Sequence, residues 1–412
     1  MKIDDFIGTP VPIEGRQNAF SVFLVWVGFI IVVGTMAVGG GLATKATVSD
    51  IVAGVIIGNV LLGVFAAFSG WIGTHSGMTF YQLGERVFGK PSMRIVGLYV
   101  PMILIGWFAI EAAILGGFLG KFFDLSDLVQ RMLMFVSALV MAASTFYGFK
   151  ALKYLSYVLV PIIFSLGLFA ITQTNLSGLE NRQNIVENPE SIFYVASIVV
   201  STWVMGVLLN LPDVTRFAKY PWQGALIGFL GILVGNVFNL IIGMTAAINT
   251  GSYDPSDILI GLGVASLAVL FAVANIWTTN DSNLYSATLG VSRSFNLSRR
   301  KAVVVCGGIG ALVAVFNPAT ISSIFTLLIT VGASAPALGG VVLGAYIVSL
   351  NKAPEAPSPI SAWTGWIFGS LIGIYFGGLL GIMLGFFSGW LLVVLGYYLF
   401  KNKAVNRNNS HM

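Results

Sequence analysis

Long apolar runs separated by short polar segments make up most of the chain. Most runs reach the ~20 residues that a helix needs to cross a bilayer, and they lack the alternation of barrel strands. Because lipid offers the backbone no partner, such runs must satisfy their own hydrogen bonds as helices. The pattern predicts an all-α membrane protein with twelve spans, at residues 19–44, 51–70, 95–120, 128–147, 152–173, 191–212, 222–248, 257–280, 301–316, 319–349, 361–382 and 384–400.

Basic residues are distributed unevenly between the alternating loops of this topology. Of the 21 lysines and arginines, 17 lie in the set of loops that includes both termini, and the opposite set holds only Lys45, Lys121, Arg131 and Arg182. The positive-inside rule therefore places both termini in the cytoplasm of a multi-pass protein, which we expect in the bacterial inner membrane. The net charge of +5 reflects this topology and gives no reason to expect nucleic-acid binding.

The composition excludes several classes of function. Hydrophobic residues make up 57% of the chain and charged residues 9%, whereas soluble domains carry about 25% charged residues. With one cysteine, Cys306, and two histidines, the chain has no disulfide framework and no multi-thiolate metal site. The spans contain no nucleophile–base pair, so we expect no enzyme. Residues 1–18 are predicted to form a cytoplasmic segment and residues 401–412 a cytoplasmic tail, whose end resembles a cloning remnant.

Two spans carry features of interrupted helices. Span one contains Gly34 and the run Gly39–Gly41, while span six contains Gly206 and ends in Asn210-Leu211-Pro212-Asp213. Transporters commonly interrupt two helices at corresponding positions of two repeats, because unwound backbone exposes carbonyls and amides to ions and substrate. Spans one and six are five helices apart, as in a 5+5 inverted repeat followed by two extra helices. The alternative is that the glycines only permit close packing.

Span eight ends in a polar run that is unusual for such an apolar helix. Asn275, Thr278 and Thr279 follow the i, i+3, i+4 spacing that puts a carbonyl and two hydroxyls on one helical face. Three hard oxygens so placed suit a small cation, and polar residues within a span usually mark an ion or substrate path. The alternative is that the threonines bond to their own helix and Asn280 caps a bend.

Glu111 is the one carboxylate in the middle of a predicted span. It follows Trp107 by four residues, on the same face of span three. An indole face beside a hydrogen-bond acceptor is suited to a flat, nitrogen-rich ring. The alternative is a packed tryptophan and a protonated glutamate bonded to a neighbouring helix. Asp213 and Asp281, near predicted span ends, are expected to be solvated or to cap helices.

Three motifs resemble those of the nucleobase-cation-symport family, which includes bacterial cytosine permeases and the sodium-hydantoin transporter. The run from Asn275 to Leu284 (NIWTTNDSNL) is similar to the span-eight signature of cytosine permeases. Asn210 to Lys219 (NLPDVTRFAK) resembles the end of span six in the wider family, and Gly106-Trp107-Phe108 its span-three motif. The resemblance extends across essentially the whole chain.

The resemblance implies a LeuT-type fold and sodium-coupled uptake by alternating access. Residues 19–349 would form the ten-helix inverted-repeat core and residues 361–400 two additional helices. By resemblance, the sodium ligands are the carbonyls of Gly28, Ile31 and Asn275 and the hydroxyls of Thr278 and Thr279.

The resemblance also assigns the substrate site. By resemblance, Trp107 stacks on the substrate ring, and Asn280 and Glu111 form hydrogen bonds with it. The hydantoin transporter has glutamine at the position of Glu111. The second aromatic, in the span-six break with Thr202 and Gly206, is expected at Trp203, although the family position aligns with Val204.

We therefore expect a sodium-coupled importer of a nucleobase, with cytosine as the leading substrate. Guanine, hydroxymethylpyrimidine and hydantoin- or allantoin-type rings remain alternatives, as does an amino acid carried by the same fold. A channel or a membrane-embedded enzyme would be a third class of function, and none of the motifs supports it. The expected partners are the small molecule, sodium and the lipid bilayer, with no nucleic acid and no obligate protein partner.

Overall fold

Helices account for nearly all of the chain that the computed structural model describes, namely residues 8–173, 188–252, 265–350 and 358–409 and positions 6, 186 and 257. Arg182 and the start of predicted span eight, apart from position 257, lie outside these residues. In chain order the helices are α1 (Ala19–Ile30), α2 (Val33–Leu42), α3 (Val48–Ser76), α4 (Phe80–Phe122), α5 (Asp127–Thr145), α6 (Phe149–Gln173), α7 (Ile192–Met205), α8 (Leu211–Thr215), α9 (Pro221–Thr250), α10 (Ala265–Phe295), α11 (Arg299–Ala314), α12 (Ile321–Leu350), α13 (Pro359–Phe376) and α14 (Gly378–Asn409).

The predicted all-α membrane fold is confirmed across the described ranges. There, eight helical stretches are long and apolar enough to cross a bilayer, and α1 with α2 forms a ninth candidate bent by 51°. Helices α10, α11 and α13, predicted as spans eight, nine and eleven, do not meet these criteria, and α11 has only 16 residues. The count of twelve spans and the 5+5 repeat therefore stay predictions.

The first span is broken between α1 and α2, just before its glycines. Ile31 and Val32 are extended, with ψ angles of 101° and 136°. Both belong to a β-branched run, a residue type that favours extended backbone over helix. The glycines further along serve packing, since a Cβ on Gly39 would collide with the carbonyl oxygen of Leu240 on α9. The predicted interruption of span one is thus present, and it lies at the β-branched pair ahead of Gly34.

Span six is not interrupted as predicted. Between α7 and α8, residues Gly206–Asn210 form one π-helical segment, so the backbone stays helical. Pro212 follows this segment and has no N–H with which to continue the α-helical bonding. Single-turn π-helical segments inside α-helices are rare, and they occur frequently at functional sites. The predicted unwinding of span six is therefore replaced by a change of helical pitch.

The segment before span three, predicted as a loop, is largely helical. Helix α4 begins at Phe80, where Thr79 and Gln82 form a capping box. The helix kinks at Gly89, whose φ of 75° suits glycine, and Pro91 follows the kink. A short helical stretch therefore precedes the membrane-spanning part of α4.

Asp281 is not near the end of its span, in contrast to the prediction. Helix α10 continues to Phe295, well beyond the predicted end at residue 280. The predicted end came too early because hydropathy falls at the polar residues that this helix buries. Asp281 is fully buried, and the hydroxyl of Thr145 donates to its Oδ1 at 2.5 Å. Asp213 is also buried, but its capping role is confirmed, since its Oδ1 accepts the N–H of Phe80 at the start of α4.

Candidate functional site

A small cavity lies among α2, α4, α7, α10 and the break in span one. Its volume is about 40 Å³, enough for about three water molecules. A few polar groups among apolar and aromatic side chains are typical of small-molecule sites. The cavity is lined by Phe29, Val32, Thr35, Leu104, Trp107, Glu111, Ser201, Thr202, Trp203, Met205, Gly206, Thr279, Asn283 and Val331.

Glu111 is held at the break in span one. Its Oε1 accepts the backbone N–H of Gly34 at 2.9 Å, while its Oε2 is buried and has no hydrogen-bond partner. A Cβ at position 34 would lie 2.5 Å from that Oε1 and 3.2 Å from the indole of Trp107. Glycine at position 34 is thus what allows both side chains to approach the break.

Trp203 forms a second aromatic wall of the cavity. Its indole N–H donates to the hydroxyl of Thr35 at 3.3 Å, and its ring meets Phe29 edge-on at 5.2 Å. A Cβ on Gly206 would lie 2.7 Å from this ring, so glycine is needed beside it. Val204, the position expected from the family alignment, is fully buried and does not line the cavity.

Thr202 connects the cavity to a buried polar chain. Its hydroxyl donates to the Val199 carbonyl at 2.6 Å and lies 3.5 Å from the side-chain oxygen of Asn236 on α9. The amide of Asn236 donates to the side-chain oxygen of Asn59 on α3 at 2.8 Å. These two asparagines were not predicted as functional, and no motif in the sequence singles them out.

Five of the six predicted substrate residues line the cavity, and Asn280 does not. The Asn280 side chain is buried and donates to the carbonyl of Phe108 at 3.1 Å, which directs it towards α4. Asn283 lines the cavity instead. It follows Thr279 by four residues, so helical spacing from the predicted sodium ligand could have identified it.

Of the predicted sodium ligands, Thr279 on α10 and Ile31 at the break in span one are in contact. The hydroxyl of Thr279 is 3.1 Å from the carbonyl oxygen of Ile31 and 3.4 Å from that of Phe29. The hydroxyl of Thr278 donates to carbonyls of its own helix, including that of Asn275 at 2.9 Å. The structure thus brings the Thr279 hydroxyl to the Ile31 carbonyl, whereas the Thr278 hydroxyl and the Asn275 carbonyl bond to each other within α10.

The donor set has the chemistry that a small hard cation requires. Carbonyl and hydroxyl oxygens at an interrupted helix are the groups that commonly coordinate sodium in transporters. Gly28 lies in the last turn of α1, three residues before Ile31, and its Cα faces α6, where a Cβ would lie 3.0 Å from the hydroxyl of Ser156. The site assignment of all five residues stays a prediction.

A polar network ties the N-terminal segment to the helix ends on the face predicted to be cytoplasmic. Arg16 donates to the carbonyls of Thr74 and Ala218 at 2.6 and 2.9 Å. The fully buried Arg216 donates to the carbonyl of Asp213 and to the hydroxyl of Tyr285. These bonds hold the N-terminal segment, α3, α8 and α10 together between the cavity and the face predicted to be cytoplasmic.

Solved transporters share this fold. Mhp1, a nucleobase-cation-symport-1 family transporter, in a closed conformation with bromovinylhydantoin bound, superposes with a TM-score of 0.80 at 16% identity, covering 96% of this chain and 95% of that one. Its inward-facing conformation gives 0.75 at 16% identity, with coverages of 96% and 93%. A Na⁺-coupled sialic acid symporter gives 0.67 at 14% identity, with coverages of 95% and 92%. At these identities the likeness shows the LeuT-type fold alone.

Sequence comparison identifies the family. A profile of permeases for cytosine/purines, uracil, thiamine and allantoin matches residues 10–355. The cytosine permease of Escherichia coli strain K12 is 29% identical over 352 residues, which cover 85% of this chain and 82% of that protein. The chain therefore belongs to this family of membrane permeases, the nucleobase-cation-symport family.

Proposed function

We propose that this permease imports a nucleobase together with sodium by alternating access, and that cytosine is its substrate. The observation that carries the proposal is that Trp107, Trp203 and Glu111 meet beside the break in span one, at a small cavity that would have to widen to admit a base. Membership of the permease family and the similarity to a cytosine permease support a nucleobase as cargo.

The lining of the cavity matches the chemistry of a flat, nitrogen-rich ring. Indoles offer faces for stacking, and a carboxylate accepts N–H bonds. Since Oε1 of Glu111 already accepts the Gly34 amide, its buried Oε2 is the oxygen available to a substrate donor. One N–H group, such as the amino group of cytosine, would satisfy it.

Sodium would act at the junction of α10 with the break in span one. There the oxygens of Ile31, Asn275, Thr278 and Thr279 would hold the ion and draw α10 towards that break. Because the same break carries the Gly34 amide bound by Glu111, an ion there would also set the position of the substrate cavity.

Uptake into proteoliposomes tests the proposal. Purified protein should accumulate labelled cytosine in a saturable way when sodium is outside, and not when potassium replaces it; protein-free liposomes give the background. Excess unlabelled cytosine should compete and excess amino acids should not. Sodium-driven uptake of a labelled amino acid, without any uptake of cytosine, would favour the amino acid symporter, and uptake that does not saturate would favour a channel.

Proton coupling through Glu111 is the second candidate. The specific observation is the partnerless, buried Oε2, which could carry a proton. In that case an inward proton gradient without sodium should drive uptake, and Glu111→Gln should abolish that drive. Sodium-driven uptake that is insensitive to the proton gradient would exclude this candidate.

A further inference from the structure

A second and much larger cavity lies on the face predicted to be cytoplasmic. Its volume is about 830 Å³, and it lies between the start of α4, the end of α10 and the start of α11. None of its lining residues lines the small cavity beside Trp107. Binding of the transported base therefore does not explain this second cavity.

The lining of this cavity is strongly basic. It includes Lys90, Arg94, Arg299 and Arg300, together with the pair formed by Arg293 and Glu85. The pair is bidentate, with N–O distances of 2.9 and 2.7 Å, so it neutralises Arg293. The buried Arg299 bonds the carbonyls of Thr145 and Phe146. Three other basic side chains therefore face a cavity to which Glu85 contributes the one carboxylate among the described lining residues.

The start of α11 adds a further positive element. The helix has 16 residues and begins at Arg299, and its N-cap residue Ser298 forms no side-chain capping bond. Both residues line the cavity. Backbone N–H groups at such a helix end and the helix dipole favour an anion.

An independent observation on α10 also indicates a ligand. Ser292 is 4% exposed and lines the cavity, and its hydroxyl oxygen is buried without any hydrogen-bond partner. Buried hydroxyls without a partner are uncommon in folded proteins. A rotation of this side chain towards the cavity would let an acceptor oxygen of a bound anion satisfy the hydroxyl.

We propose that this cavity binds a phosphate group carried by a ligand, either a free phosphate compound or an anionic lipid headgroup. Arg300, Lys90 and Arg94 would supply charge, the start of α11 its amides, and Ser292 a hydroxyl. The site also adjoins the transport machinery, because Arg299 donates to the carbonyl of Thr145, whose hydroxyl bonds Asp281 of α10.

Binding is tested with purified protein in phosphatidylcholine nanodiscs. Titration with millimolar inorganic phosphate, at ionic strength matched with chloride, should raise the apparent unfolding temperature, because a ligand of the folded state stabilises it. Nanodiscs containing phosphatidylglycerol, without free phosphate, test the lipid source. A shift with phosphate alone assigns a free compound, a shift with phosphatidylglycerol alone assigns a lipid, and no shift with either overturns the proposal.

Variants distinguish this cavity from general surface charge. Arg300→Gln should weaken binding of whichever probe shifts the wild type, by roughly 10-fold or more, because it removes one charge-assisted contact. Lys301→Gln is the matched control, since Lys301 is exposed on the same helix but does not line the cavity. Ser292→Ala should also weaken binding while leaving the unliganded protein at least as stable. Equal binding by wild type, Arg300→Gln and Ser292→Ala would overturn the proposal.

Discussion

The Glu111 carboxylate and the Gly34 amide are joined by a 2.9 Å hydrogen bond that links α4 to the first turn of α2. The bond fixes a buried carboxylate at the point where span one changes direction. It also explains why residue 34 is glycine, since any side chain would displace Oε1. A change on either side of this contact should therefore affect both helices.

Gly34→Ala should destabilise the protein by about 1 to 3 kcal/mol and abolish high-affinity substrate binding, because its Cβ would overpack the Glu111 carboxylate. Thermal unfolding and substrate titration measure both effects. The matched control is Gly106→Ala on α4, where a Cβ would meet no atom within 4 Å. Equal stability and affinity for the two variants would contradict the prediction.

Trp107→Ala should weaken substrate affinity roughly 5- to 150-fold, by analogy with base–aromatic stacking worth about 1 to 3 kcal/mol. Trp107→Phe should restore part of the loss. Trp222→Ala is the control, because Trp222 is 62% exposed and lies away from the cavity. Normal binding by a folded Trp107→Ala protein would show that the indole only packs.

Thr279→Ala and Thr278→Ala should raise the sodium concentration needed for half-maximal uptake. Thr279 should have the larger effect, because its hydroxyl lies beside the Ile31 and Phe29 carbonyls, whereas that of Thr278 bonds within α10. Thr288→Ala removes a hydroxyl that is also buried and helix-bonded and serves as control. Unchanged sodium dependence in both variants would leave the hydroxyls with a structural role.

Glu111→Gln should change which rings are preferred. An ionised carboxylate only accepts hydrogen bonds, whereas a glutamine amide of nearly the same size also donates two. The variant should lose affinity for aminated rings such as cytosine and guanine. Its affinity for uracil and hydantoin, relative to those two rings, should rise. Competition against labelled cytosine gives the ranking, with the exposed Asp127→Asn as control. An unchanged ranking would make Glu111 a structural partner of α2.

Helical periodicity alone predicts one pair of residues in the lining of the cavity. The spacing of four residues places Trp107 and Glu111 on one face of α4 wherever the helix begins. The glycine-containing first span likewise indicated a break close to where it occurs. These features depend on local geometry, which a single sequence carries.

Other features depend on contacts between distant segments. Asp281 was expected near a span end because hydropathy ends span eight at its polar run, yet Thr145 of α5 satisfies that carboxylate inside the bundle. Asn280 was expected in the site by resemblance, but its amide bonds Phe108 of α4. Neither partner is close in sequence, so no local pattern could indicate it.

The break in span one has a thermodynamic consequence. Ile31, beside the proposed ion site, and Gly34, bound by the carboxylate of the proposed substrate site, are three residues apart on one short segment. If both proposed ligands favour the same arrangement of this segment, the factor by which sodium would tighten base binding must equal the factor by which the base would tighten sodium binding. The ratio of base affinities measured with and without sodium should therefore equal the ratio of sodium affinities measured with and without the base.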